Sequence, residues 1–143
     1  HGLRGGRPPV ADLDAAAALH PRVAALVAER MVTGVHDCSH GGLAAALCEM
    51  AIAGGTGFEV EIGGPLDCFS ESASRVVLSV APGRVAEVVD RAAAGGVVAA
   101  QLGRAGGGRL VAAGAFDVSL PEAESAWRGA LPRAMGGVSP STA

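Results

Sequence analysis

The stretch Val35-His36-Asp37-Cys38-Ser39-His40-Gly41-Gly42-Leu43 sets a carboxylate, a hydroxyl and two glycines together. Asp37 is of the type that holds Mg²⁺, and Ser39 can donate its hydroxyl to a phosphate oxygen. A helix opening on Gly41-Gly42 has bare N–H groups at its positive end, a natural place for an anion. Acid, hydroxyl and amides together suit a metal-bound phosphate. The same residues also serve a plain turn, with Asp37 or Ser39 capping the helix and the glycines permitting a tight bend. No lysine follows, and the chain has none, so the stretch is not a Walker-type loop. A second cluster, Phe69-Ser70-Glu71-Ser72-Ala73-Ser74-Arg75, holds three hydroxyls, a carboxylate and a guanidinium. Arg75 can grip a carboxylate or phosphate bidentately, with Ser72 and its neighbours adding hydroxyls and turn amides. Alternatively, Glu71 and Arg75 pair with each other and stiffen the loop.

Hydrophobic spacing predicts the elements that must position these groups. Asp12 to Arg30 is helical in character, with Pro21 expected at the first turn of its main part. Val32–Asp37 reads as a strand. Leu43, Leu47, Met50 and Ala51 then fall at helical spacing over Gly41–Ala53, and Gly54-Gly55 stops that helix. Phe58-Glu59-Val60-Glu61-Ile62 alternates as a half-buried strand. Gly63 to Glu71 reads as a loop, and Arg75 to Val80 as a strand buried on both faces. Val85–Ala94 is an amphipathic helix, Val97–Leu102 a strand, and Gly103 to Gly108 a hairpin turn into Leu110–Ala113. Gly103 to Gly108 precedes a strand and lacks the helix dipole that a phosphate loop uses. Phe116–Val118 is extended. Ser119-Leu120-Pro121-Glu122 is a capping box opening a helix to about Leu131. This order implies an α+β, or layered α/β, domain with helices packed on a mixed sheet.

Composition narrows the function classes. At 143 residues the length fits one domain, expected over 14–135 after a Gly/Pro linker at 1–13 and before a frayed tail at 136–143. Aromatic residues make up 3% of the chain, so Phe58, Phe69, Phe116 and Trp127 are the large pieces available to a core of Val, Leu, Ile and Ala. The net charge is −3 and the cations, all arginine, are scattered, which argues against a nucleic-acid partner. No run approaches the about eighteen apolar residues of a membrane span. Cys38, Cys48 and Cys68 form no C-x-x-C pair and fit reduced thiols in a cytoplasmic protein, with Cys38 a packing residue.

The residues then point to a family. His36 to Gly55 resembles the "HDxSDGGLAVALAEMAIAGG" segment of the PurL-type phosphoribosylformylglycinamidine (FGAM) synthases, and Phe69 to Arg75 resembles their "LFSES-x-x-R" segment. Gly5-Gly6-Arg7-Pro8-Pro9 is similar to their preceding linker, and Trp127-Arg128-Gly129-Ala130-Leu131-Pro132 to their "W-x-G-x-LP" close. The resemblance spans roughly residues 1 to 135, with its motifs in family order. It implies a C-terminal domain of the AIR synthase type, partly ferredoxin-like. It also implies a share in the ATP-dependent conversion of formylglycinamide ribonucleotide (FGAR) and ammonia to FGAM in purine biosynthesis. Implied with it are ATP and Mg²⁺ as cofactors, FGAR as substrate, a missing N-terminal ATP-binding half, and the PurQ glutaminase and PurS subunits as partners. The chain alone is then expected to be inactive and to hold no catalytic residue. By the same resemblance Asp37 contacts Mg²⁺ and Ser39 an auxiliary nucleotide; from the residues themselves the Gly41 and Gly42 amides are expected at that nucleotide, and Ser72 and Arg75 at the substrate. The family motif carries an acid where this chain has His40. A hydrogenase maturation factor or thiamine-monophosphate kinase domain is the alternative within the superfamily, and Phe69-Ser70-Glu71-Ser72 speaks against it. A non-catalytic interaction domain is the alternative outside it.

Overall fold

The computed structural model describes residues 10–136. In order these form α1 (Leu13–Ala28), β1 (Gly34–Asp37), α2 (Gly42–Gly54), β2 (Phe58–Glu61), α3 (Pro65–Phe69) and β3 (Val76–Ser79). A 3-10 turn (Pro82–Arg84), α4 (Val85–Ala94), β4 (Gly103–Ala105), β5 (Arg109–Ala113), β6 (Phe116–Ser119) and α5 (Leu120–Ala134) complete them. Of the expected linker at 1–13, residues 1–9 lie outside the described residues while Leu13 already opens α1, and of the expected tail at 136–143, residues 137–143 lie outside them. The α+β class and mixed sheet are as expected, but contacts divide the chain into two compact units.

One unit runs through Leu47 and resumes over Pro65–Gln101. Asp12 caps α1 by accepting the Ala15 amide at 2.9 Å, and the alanines after it carry the helix on through Pro21. The helix therefore begins eight residues before the proline expected to start its main part. It closes with Arg30 in the left-handed region (φ 55°) and the Met31 amide on the Leu26 carbonyl, an arrangement that usually carries glycine. Leu26, Met31 and Val88 form a buried cluster, with Val32, Leu78 and Val80 packed against it. β1 and β3 make a two-stranded antiparallel sheet in which Val35 faces Leu78. Each residue of β3 is half-buried instead of buried on both faces, because among the described residues β1 is its only partner strand. The expected Gly63–Glu71 loop contains α3, which at five residues is too short to show a helical period.

The other unit comprises Cys48–Gly64 and the chain from Leu102 onward. Its four strands lie in the order β4-β2-β5-β6, with β2 and β5 parallel and the other pairs antiparallel. β2 alternates buried and exposed residues as its sequence does. Leu110 is fully buried, and the Phe116 ring stands edge-on to Phe58 with centroids 6.3 Å apart. Phe69 and Trp127, by contrast, are exposed. The predicted strand at Val97–Leu102 is absent: the Val97 amide closes α4 on the Ala92 carbonyl, and Gly103–Ala105 pairs with β2 instead. A Cβ on Gly103 would strike the Glu59 carbonyl, so glycine lets this strand lie close against β2. Gly103 to Gly108 is accordingly not a hairpin. β4 and β5 flank β2, and Gly106 and Gly107 cross its start through hydrogen bonds with Gly57 of 2.8 and 2.9 Å.

Candidate functional site

β1 delivers Asp37 to its C-terminal end, and the chain turns through Cys38–Gly41 into α2. The Cys38 amide bonds the Arg75 carbonyl at 3.0 Å, so the two motif segments are tied together just past the β1–β3 ladder. Cys38 is buried, and burial pushes its thiol up despite the nearby Arg75 charge, which suits packing and not nucleophilic attack. Among the described residues all three cysteines are free thiols.

Ser39 donates its hydroxyl to Asp37 Oδ2. That bond holds the Asp37 carboxyl below its ordinary value, helped by its own backbone amide and the His36 charge and opposed by desolvation. The Asp37 side chain is 69% exposed, with His36 Nδ1 at 3.7 Å from Oδ1 and donating to the Asp37 carbonyl at 2.7 Å. Asp37 is thus an ionised, accessible carboxylate with a hydroxyl attached.

The Gly41 and Gly42 amides do not stand open. Gly41 donates to Glu71 Oε1 at 2.8 Å, and Gly42 donates to the Ser39 carbonyl at 3.0 Å. Both glycines have left-handed φ, 77° and 66°. A Cβ at Gly42 would come within 2.7 Å of the Ser70 carbonyl oxygen and 2.9 Å of that of Cys68. Gly42 therefore permits close approach of the α3 end, and the positive end of α2 already faces a carboxylate. Glu71, thirty positions away, is the residue that local spacing does not reveal as a cap.

Glu71 and Arg75 do not pair with each other. Arg75 instead donates to the Ser70 carbonyl at 3.2 Å and the Asp67 carbonyl at 3.3 Å, while the Ser70 and Ser72 hydroxyls bond at 2.7 Å. Ser74 takes a left-handed φ of 60° just before Arg75. The two clusters meet in one open depression of about 280 Å³, bordered also by Leu19 and His20 of α1. Sequence spacing gave no sign of the α1 contribution.

Among the described residues no three His, Cys, Asp or Glu side chains converge as a metal cage. One exposed carboxylate beside a hydroxyl nevertheless fits Mg²⁺ carried in on phosphate oxygens, since that ion often takes one or two carboxylates and keeps its other ligands as phosphate and water. No helix of the described residues is long and apolar enough to cross a membrane.

The chain is 43% identical over 140 residues to the PurL subunit of phosphoribosylformylglycinamidine synthase from Moorella thermoacetica, covering 92% of this chain and 19% of that protein. It is 40% identical over 141 residues to the Thermobifida fusca subunit, covering 95% and 18%. The chain thus spans about a fifth of the length of these relatives. A solved structure of Thermotoga maritima PurL complexed with FGAR superposes with a TM-score of 0.72 at 19% identity, over 81% of this chain and 22% of that one. A second, of PurLQS from the same organism, gives 0.69 at 20% identity, over 78% and 22%. At those identities the likeness is one of fold. Residues 1–114 match the family described as AIR synthase related protein, C-terminal domain, and with four-fifths of its length inside that match the chain belongs to this family.

Proposed function

We propose that this chain is the C-terminal portion of a PurL-type FGAM synthase, and that its Asp37–Ser39 turn contacts a Mg²⁺-bound nucleotide. The observation that carries the reading is the ionised Asp37 carboxylate with the Ser39 hydroxyl on it, facing a depression lined by the second family motif. The curated relatives support the enzyme assignment, and Thermotoga PurL structures complexed with ATP, ADP and AMPPCP support a nucleotide ligand for the fold. The reaction joins ammonia to FGAR at the expense of ATP, in the cytoplasm, with PurQ and PurS as partner subunits and the missing N-terminal half carrying the catalytic groups.

In this reading Asp37 takes a Mg²⁺ site and Ser39 orients a phosphate oxygen. Gly42 shapes the turn, and Gly41 supplies an amide only if Glu71 yields it. Arg75, spanning two carbonyls, braces the loop that presents Ser72 to the substrate. Bound Mg²⁺ supplies charge neutralisation at the phosphates.

The test is a chimera in which this chain replaces the matching segment of Moorella thermoacetica PurL. Asp37→Asn and Ser39→Ala are expected to weaken Mg·ADP binding to the chimera by about tenfold or more, the effect of losing a charge-assisted contact. Calorimetric titration with unchanged affinity in both variants would rule out this turn as a nucleotide contact.

A further inference from the structure

α5 is a helix with almost no support of its own. Of its fifteen residues only Gly129 is buried, and isolated helices of about that length are marginal in water. Trp127 and Leu131 in the helix and Met135 at its C-cap follow at i, i+4 and i+8, and are 53, 73 and 83% exposed. The Arg128 guanidinium stands over the Trp127 ring, 5.6 Å from its centroid, which leaves Leu131 and Met135 as the open part of the row. Arg128 pairs with Glu124 at 2.7 Å, and Arg133 lies back over Gly129 to reach the Ala126 carbonyl at 3.2 Å.

The match to the AIR synthase related domain ends at residue 114, before α5 begins. Alignments with PurL subunits take in up to 96% of the chain, more than leaving out α5 would allow. α5 is therefore an addition to the domain that this chain shares with PurL subunits. About four-fifths of the length of those subunits lies outside this chain.

We propose that the Trp127–Leu131–Met135 row of α5 is the docking face for the preceding part of a PurL polypeptide, which presents an apolar groove to it. The proposal rests on the reading of the chain as part of a PurL-type enzyme, and it names the surface that joins the chain to the rest. Exposed aromatic and long aliphatic side chains at regular helical spacing are the usual anchors of a helix laid in a groove.

The experiment mixes the full 143-residue chain with the Moorella thermoacetica PurL segment that precedes the matching region and measures association by sedimentation velocity. Wild type and Val98→Glu, a substitution at an exposed apolar residue off the helix, are expected to form a one-to-one complex. Leu131→Glu and Met135→Glu should each weaken it at least about tenfold, with helix content held constant by circular dichroism. Equal affinity for all four chains overturns the docking face while leaving the PurL reading intact. A homodimer of the chain that Leu131→Glu dissolves makes a second copy the occupant, and also overturns it. No association of the wild-type chain at all removes the PurL-portion reading together with the inference.

Discussion

Asp37 illustrates how two neighbouring residues set a charge. Its carboxyl sits below the ordinary value chiefly because Ser39 donates to it, with its backbone amide and the His36 charge adding to the effect. A carboxyl depressed in the folded state contributes stability above its unfolded pKa and loses it as pH falls through the folded value. Here that window lies below the ordinary carboxylate range, so the site keeps its charge throughout neutral and mildly acidic pH. The exposed position makes the stability effect small. Following the Asp37 carboxyl carbon by NMR during an acid titration should give a midpoint below that of a free Asp, and Ser39→Ala should move it upward. An unmoved midpoint would mean the hydroxyl is not the cause. The Asp-x-Ser spacing already marked this pair in the sequence, since two residues that close need no tertiary structure to meet. Glu71 was not legible as the Gly41 partner, because nothing local fixes a contact across thirty positions.

At the scale of elements, most helices and strands follow from spacing and punctuation. The α2 stop is a direct case: Gly55 turns left-handed at 61°, and the Thr56 amide returns to the Ala51 carbonyl. Gly42, at the other end of α2, answers to tertiary packing. Gly42→Ala places a Cβ against the Ser70 and Cys68 carbonyls in a left-handed backbone, and should cost about 2–4 kcal/mol from strain plus overpacking. Gly54→Ala is the control, since a Cβ there meets nothing within 4 Å. Urea denaturation should separate the two, and a Gly42→Ala midpoint matching that of Gly54→Ala would contradict the close packing of α2 on the α3 end. Val97–Leu102 misled for the opposite reason. Its residues favour a strand, but a strand exists only where a neighbour offers an edge, and β4 already occupies that edge of β2.

At the scale of the whole molecule, the chain is about a fifth of its PurL relatives, and its reacting groups are few. Among the described residues it has no converging metal ligands, and its buried Cys38 is held as a thiol. Incubated alone with FGAR, ATP and ammonia, the chain is expected to form no FGAM; product at rates typical of enzymes would show that the chemistry resides here after all. The sequence by itself determined the family motifs, the α+β order, the β2 alternation and the Asp37–Ser39 pair. Each of these depends on neighbours within a few positions, where periodicity and backbone preference act. Only the tertiary structure decided that β2 separates β4 from β5, that Glu71 holds the Gly41 amide, and that Arg75 braces its loop instead of pairing with Glu71. Those outcomes join residues distant in the chain, and only the packed arrangement fixes which donor meets which acceptor.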